Sequence, residues 1–130
     1  MNIDVEDLER GIAFYRDALG LRVGRRLFDG TVAEMLGASS KIYLLEKPAR
    51  STPSPEEGSV RDYRRHWTPV HLDFAVNDVF AAMRRAIAAG AKVETEVQTF
   101  VWGQQVTLSD LFGHGFCLLA FSGAGYHAVA

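Results

Sequence analysis

The chain has 130 residues, and its 14 Lys and Arg against 16 Asp and Glu give a formal net charge of −2. This balance gives no electrostatic reason to expect a nucleic acid or an anionic membrane as a partner. Apolar residues make up 48% and charged residues 23%, which is typical of a globular domain. One cysteine excludes an internal disulfide, no apolar run is long enough to span a bilayer, and the acidic N-terminus is unlike a signal peptide, so we expect a cytoplasmic protein.

The first half of the chain predicts one helix among short strands. After a β-prone opening, Asp7 is placed to cap a helix, because apolar residues from Leu8 onward recur at helical spacing. Gly20 ends this pattern, as glycine commonly does after a helix. Asp29 and Gly30 then form a turn signal. The strands predicted after the helix span 21–27, 31–36 and 41–47.

The second half follows a stretch rich in proline, serine and arginine, and it predicts the same order of elements. Alternation of apolar and polar residues over 70–76 predicts a strand. Asp78 is placed to cap an alanine-rich helix that ends at Gly90. The strands predicted after this helix span 91–100, 101–110 and 115–121. The glycine-rich tail is expected to extend over the surface.

Three blocks of sequence recur between the two halves in the same order. Residues 5–8 match 76–79, 20–23 match 90–93, and 42–45 match 116–119, at offsets of 71, 70 and 74 residues. Each half is therefore predicted to be a βαβββ module, and a single module would leave a sheet face uncovered. We expect an α+β fold in which two paired modules form a cup of curved mixed sheets, with the helices outside.

The chain is predicted to be one domain organised as two modules. The boundaries are 1–50 for the first module, 51–67 for a linker, 68–123 for the second module and 124–130 for a tail. Edge strands left open at the ends of the modules invite pairing with another chain, so we expect a homodimer.

Three segments carry a resemblance to a known family. The opening VEDLERGIAFYRDALGLRV, the stretch HLDFAVNDV with its alanine-rich helix and AAGAKVE, and SDLFGHGFCLLAF resemble the vicinal oxygen chelate superfamily. That superfamily includes glyoxalase I, bleomycin-resistance proteins and extradiol dioxygenases. The last segment resembles the family's Asp-Pro-x-Gly strand motif, with Leu111 where proline is usual. The resemblance implies the fold, but one such scaffold carries very different functions.

Strand periodicity predicts which side chains face the cleft. In the strand over 70–76, the apolar side should meet the helix, which leaves His71 and Asp73 facing the cleft. By the same alternation, Tyr43 and its repeat partner Cys117 occupy equivalent cleft-facing positions. His71 is either a ligand-binding group or a half-buried histidine satisfied by Asp73, and Cys117 is also consistent with a small core residue.

The resemblance implies four positions for metal ligands, two in each module. In this chain they fall on His71, Cys117, Tyr43 and a position one residue before Met1. One histidine, one phenol and one thiol are a poor set for a divalent metal. We therefore expect no cofactor, and if a divalent metal binds, His71 is its expected ligand.

Two further features suggest ligand contacts. Trp102 precedes a glycine on a predicted strand and would stack on a planar ligand, although core filling is the commoner role of such a residue. Arg61, Arg64 and Arg65 form a basic cluster in the linker that would either clamp an anionic substrate or be a solvated surface.

The sequence supports two functions of different classes. The first is a metal-free protein that binds a small organic molecule in its cleft, as bleomycin-resistance-type relatives do. The alternative is a metal-dependent lyase, isomerase or dioxygenase of the same superfamily. No phosphate-binding glycine loop, dinucleotide fingerprint or nucleophile-elbow motif is found in the sequence.

Overall fold

The computed structural model describes residues 1–55 and 58–130, and the chain divides into two units, Met1–Arg64 and Arg65–Ala130. The boundary between the units falls inside the segment 51–67 that the sequence predicts as a linker. Among the described residues, no helix has both the length and the apolar character needed to cross a membrane.

The first unit contains one helix and four strands. In chain order they are β1 (Asn2–Val5), α1 (Leu8–Leu19), β2 (Arg22–Leu27), β3 (Val32–Leu36) and β4 (Ile42–Glu46). The strands form one sheet in the order β1-β4-β3-β2. β1 runs parallel to β4, and the other pairs are antiparallel, so the sheet is mixed.

Helix α1 begins and ends where the sequence predicts. The Asp7 carboxylate accepts a hydrogen bond from the backbone N–H of Arg10 at 3.0 Å, and Gly20 adopts a left-handed φ of 69° at the C-terminal end. The buried side of the helix includes Phe14 and Tyr15, which are 1% and 3% exposed. Burying an aromatic side chain of this size stabilises the fold by about 1.5–3 kcal/mol.

The second unit contains one α-helix, five strands and a short 3₁₀ helix. In chain order they are β5 (Leu72–Ala75), α2 (Val79–Ala88), β6 (Lys92–Val93), β7 (Gln98–Phe100), β8 (Gly103–Ser109), β9 (Gly115–Phe121) and the 3₁₀ helix (Gly125–Ala128). The sheet has the order β5-β9-β8-β6, and β7 also pairs with β8. β5 runs parallel to β9, so this sheet is mixed as well.

Two details of the second unit differ from the sequence prediction. The strand predicted over 91–100 is divided into β6 and β7, because the chain leaves the ladder around Thr95, whose side-chain oxygen accepts a hydrogen bond from the Thr107 backbone N–H at 3.0 Å. The tail forms a 3₁₀ turn where an extended surface segment was predicted. The α+β class is confirmed, and the first unit has the predicted βαβββ order. The second unit has the same order except that the strand after its helix is divided in two.

Candidate functional site

A polar surface lies on the sheet of the second unit. The parallel register of β5 and β9 places Asp73 opposite Cys117, and the antiparallel register of β8 and β9 places Thr107 opposite the same cysteine. His71 immediately precedes β5, and its Nε2 lies 3.3 Å from Asp73 Oδ1. We call this surface, formed by His71, Asp73, Thr107 and Cys117, the His71 face.

The opposite surface of the same sheet is apolar. Phe74 on β5 and Phe116 on β9 contact each other edge to face, with ring centroids 6.0 Å apart. Leu108 and Leu118, which share this surface, are fully buried. Because the apolar residues alternate with the polar ones, the sequence prediction that His71, Asp73 and Cys117 share one side of the sheet agrees with the structure.

Cys117 is the most buried member of the His71 face, with 2% of its surface exposed. The Thr107 hydroxyl lies 3.5 Å from its sulfur, and the Gln105 amide donates to the sulfur at 3.6 Å. Burial raises the pKa of the Cys117 thiol, so the group is held in its neutral form. A neutral, hydrogen-bonded thiol is a weak nucleophile.

In the first unit, Tyr43 belongs to a charged cluster that the sequence reasoning missed. Its hydroxyl donates to Glu34 Oε2 at 3.1 Å, and Arg25 donates to both Glu34 oxygens at 3.0 and 2.7 Å. Lys41 Nζ lies 3.3 Å from the same carboxylate. The hydrogen bonds from Arg25 are the largest cause that lowers the Glu34 pKa to about 2. Glu34 is only 3% exposed, so it is a fixed anion inside the cluster.

A β-bulge explains how this cluster forms. The register between β2 and β3 shifts between Val23 and Arg26, so Gly24 and Arg25 both lie opposite Glu34. A Cβ at Gly24 would come within 2.8 Å of Glu34 Oε1, so glycine leaves the space that the carboxylate occupies. A signal was present in the sequence, since Glu34 is a lone acid between apolar residues of a predicted strand.

Trp102 does not lie with the His71 face. It sits in the turn between β7 and β8 and stacks on Phe100, with ring centroids 5.0 Å apart and planes 6° apart. Phe121 and Tyr126 complete this aromatic cluster. Gly103, next to Trp102, pairs with Phe121, and this pair lies four residues along the strands from the pair of Thr107 and Cys117. At the usual rise of a strand, the two pairs are about 13 Å apart.

The arginines of the predicted basic cluster are each paired with a carboxylate. Arg61 contacts Asp4 in the first unit at 2.6 Å, and Arg64 contacts Asp62. Arg65, in the second unit, contacts Glu94. Because each guanidinium already has an anionic partner, this arrangement favours a structural role over the clamp for an anionic substrate.

The four-position metal set that the resemblance implies does not fit the residues present. The Tyr43 hydroxyl donates a hydrogen bond to Glu34, and the Cys117 thiol is buried and contacts Thr107 and Gln105. A different set of donor atoms lies closer to the arrangement that a bound metal ion requires. One ligand atom each from His71, Asp73 and Cys117 lies within 4.8 Å of the other two. Donors on one zinc ion lie roughly 3–4 Å apart, so this trio would have to contract.

Comparison with known proteins identifies the family. A family model described as a glyoxalase-like domain matches residues 1–119. The chain belongs to the glyoxalase-like domain family. This membership places the chain in the vicinal oxygen chelate superfamily, as the sequence resemblance implies. No match was found among curated proteins.

Several solved structures share the fold of this chain. The fosfomycin resistance protein FosX from Listeria monocytogenes is 20% identical, with a TM-score of 0.70 over 94% of this chain and 90% of FosX. TioX from Micromonospora sp. ML1 is 19% identical, with a TM-score of 0.69 over 94% and 96%. The hypothetical protein SA1046 from S. aureus is 22% identical, with a TM-score of 0.67 over 92% of both chains. At these identities the likeness establishes the fold alone.

Proposed function

We propose that this glyoxalase-like protein binds a small organic molecule on the His71 face without using a metal. The observation that carries the proposal is the setting of Cys117, which falls at a position that the resemblance assigns to a metal ligand but is a buried thiol held by Thr107 and Gln105. His71 and Asp73 are 36% and 45% exposed in their side chains. Together these residues supply hydrogen-bonding groups at a surface that a ligand can reach.

Within this function, His71 and Asp73 act as one polar unit. The Asp73 carboxylate lies 3.3 Å from His71 Nε2 and orients the imidazole. The other ring nitrogen and the remaining carboxylate lone pairs then face the ligand. Thr107 and Gln105, which hold the Cys117 sulfur, form the floor of this site.

The alternative function is a metal-dependent lyase, isomerase or dioxygenase, and the His71, Asp73 and Cys117 trio is the observation that favours it. A divalent ion held there would act as a Lewis acid on paired oxygens of a substrate. Titration of chelator-treated protein with Zn²⁺ or Mn²⁺ separates the two functions. The alternative requires stoichiometric binding that Asp73→Asn weakens, whereas our proposal predicts weak binding that this substitution leaves unchanged.

The direct test of the proposed function is the small-molecule content of the purified protein. Molecules released by denaturation are compared between the wild type, His71→Ala and His127→Ala. His127 lies in the exposed 3₁₀ helix and serves as the matched control. We expect one compound to be depleted from His71→Ala alone. Equal content in all three proteins would contradict the role of His71.

A further inference from the structure

We propose that Trp67 forms the aromatic wall of a subsite for a small aromatic amine, beside His71 and Asp73. The proposal rests on the proposed function, since it names the ligand class of the same face. Trp67 is the last residue of the segment 51–67 that the sequence predicts as a linker, and Trp102 is the aromatic residue that the sequence predicts to stack on a ligand. The contacts of the second unit favour Trp67 instead.

Trp67 belongs to a short segment that is fixed onto the turn before β9. We call residues 65–67 the strap. The Gly113 carbonyl accepts hydrogen bonds from the His66 backbone N–H at 3.2 Å and from Arg65 Nη1 at 3.1 Å. The rings of His66 and His114 meet edge to face, with His114 Nδ1 3.3 Å from His66 Nε2. These contacts of Arg65 and His66 fix the position of the strap.

The indole of Trp67 lies against the start of β9 and against His71. A Cβ at Gly115 would overlap the indole ring, so only glycine lets the ring lie there. The ring centroids of Trp67 and His71 are 4.9 Å apart, with planes tilted by 34°. The Arg65 guanidinium carbon lies 5.2 Å from the Trp67 ring centroid. The residue Trp67 nevertheless remains 53% exposed, so a ligand can reach it.

The charges near Trp67 favour a cation. The positive charge of Arg65 is offset by Glu94, because the Glu94 carboxylate accepts a hydrogen bond from Arg65 Nη2 at 2.7 Å. Asp73 then supplies a carboxylate next to His71, and its side chain is 45% exposed. A carboxylate that already contacts one imidazole can still accept further hydrogen bonds. An indole face also attracts cations and aromatic rings. A ligand with both an aromatic ring and a protonated amine matches these groups.

The probe for this subsite is 2-phenylethylamine, and two analogues control for its two features. 2-Cyclohexylethylamine keeps the amine and lacks the aromatic ring, and phenylacetate keeps the ring and reverses the charge. We expect calorimetry to show binding of 2-phenylethylamine that exceeds that of either analogue by about five- to tenfold, the scale of one aromatic or charge-assisted contact.

Substitutions test whether 2-phenylethylamine binds at the strap. Trp67→Leu is expected to weaken 2-phenylethylamine binding by about five- to tenfold, and Trp102→Leu is the matched control that leaves it unchanged. Gly115→Ala should reproduce the loss by displacing the indole, while thermal melting confirms that the sheet is intact. In fluorescence, the probe should change the emission of Trp102→Phe, which keeps only Trp67, and not that of Trp67→Phe.

The outcomes separate this inference from the proposed function. Absence of 2-phenylethylamine binding, or equal loss in the Trp67→Leu and Trp102→Leu variants, overturns the subsite. Tighter binding of phenylacetate overturns the charge argument. In each case the proposed function still stands if a co-purified compound depends on His71.

Discussion

The Tyr43 hydroxyl donates a hydrogen bond to Glu34 in the first unit. By strand register, this pair is equivalent to the pair of Cys117 and Thr107 in the second unit. Tyr43 lies opposite Glu34 across β4 and β3, and Cys117 lies opposite Thr107 across β9 and β8. The repeat therefore places an ionic cluster at one site and a neutral thiol at its equivalent. One scaffold position has two chemistries because the residue at that position and the residue opposite it both differ between the units.

The Glu34 cluster predicts a specific acid sensitivity. The pKa of Glu34 is lowered from 4.5 to about 2 by its partners, so its contribution to stability is fully present above about 4.5. This contribution is lost as the pH falls through the range from about 4.5 to about 2. Glu34→Gln should lower the melting temperature at neutral pH, and the difference from the wild type should shrink across that acid range. A difference that stays constant down to the lowest pH would contradict the ion-pair account.

His71→Ala should affect binding without affecting folding. The side chain is 36% exposed and lies outside the apolar side of the sheet, so the free energy of unfolding should change by no more than about 1 kcal/mol. Affinity for the co-purified compound should fall by roughly a few-fold to tenfold, the scale of one hydrogen bond. Urea denaturation and calorimetry measure the two quantities. An unfolded variant with unchanged affinity would make His71 a structural residue.

The order of helices and strands, and the placement of His71, Asp73 and Cys117 on one side of the sheet, could be predicted from the sequence. The pairing of His71, Asp73 and Cys117 followed from period-2 alternation, because β5 and β9 are regular strands. Glu34 was missed because its partner Arg25 reaches it through a β-bulge, which alternation does not reveal. Trp67 was placed in a linker, since nothing local in the sequence indicates that Gly115 leaves room for an indole. Trp102 was predicted to contact a ligand, because the adjacent residues in the sequence do not indicate its tertiary packing against Phe100.

Cys117 should react slowly with alkylating reagents. The thiol is 2% exposed and burial raises its pKa, so both access and the thiolate fraction are reduced. At about pH 8, iodoacetamide should modify the folded protein at least tenfold more slowly than the urea-unfolded chain, where the ordinary thiol pKa applies. Mass spectrometry follows the modification. Equal rates in both states would show an accessible, activated thiol and would favour a nucleophilic role.

The homodimer remains a prediction, and the aromatic cluster around Trp102 is our candidate for its interface. Val101, Tyr126 and Val129 are 70%, 52% and 58% exposed, and β7 pairs only with β8 among the described strands. An exposed apolar surface beside an open strand edge favours association. Light scattering should give the mass of a dimer, and Val101→Glu should shift the mass toward the monomer. A monomer mass for the wild type at micromolar concentration would overturn this prediction.

Native mass spectrometry of protein purified in the presence of a chelator, with metal analysis of the same sample, tests the central claim of metal-free binding most directly. The account predicts a fraction of the protein carrying one organic molecule on each chain and far less than one equivalent of any divalent metal. A stoichiometric divalent ion that is retained through the chelator and lost in Asp73→Asn would contradict the account and establish the metal-dependent alternative.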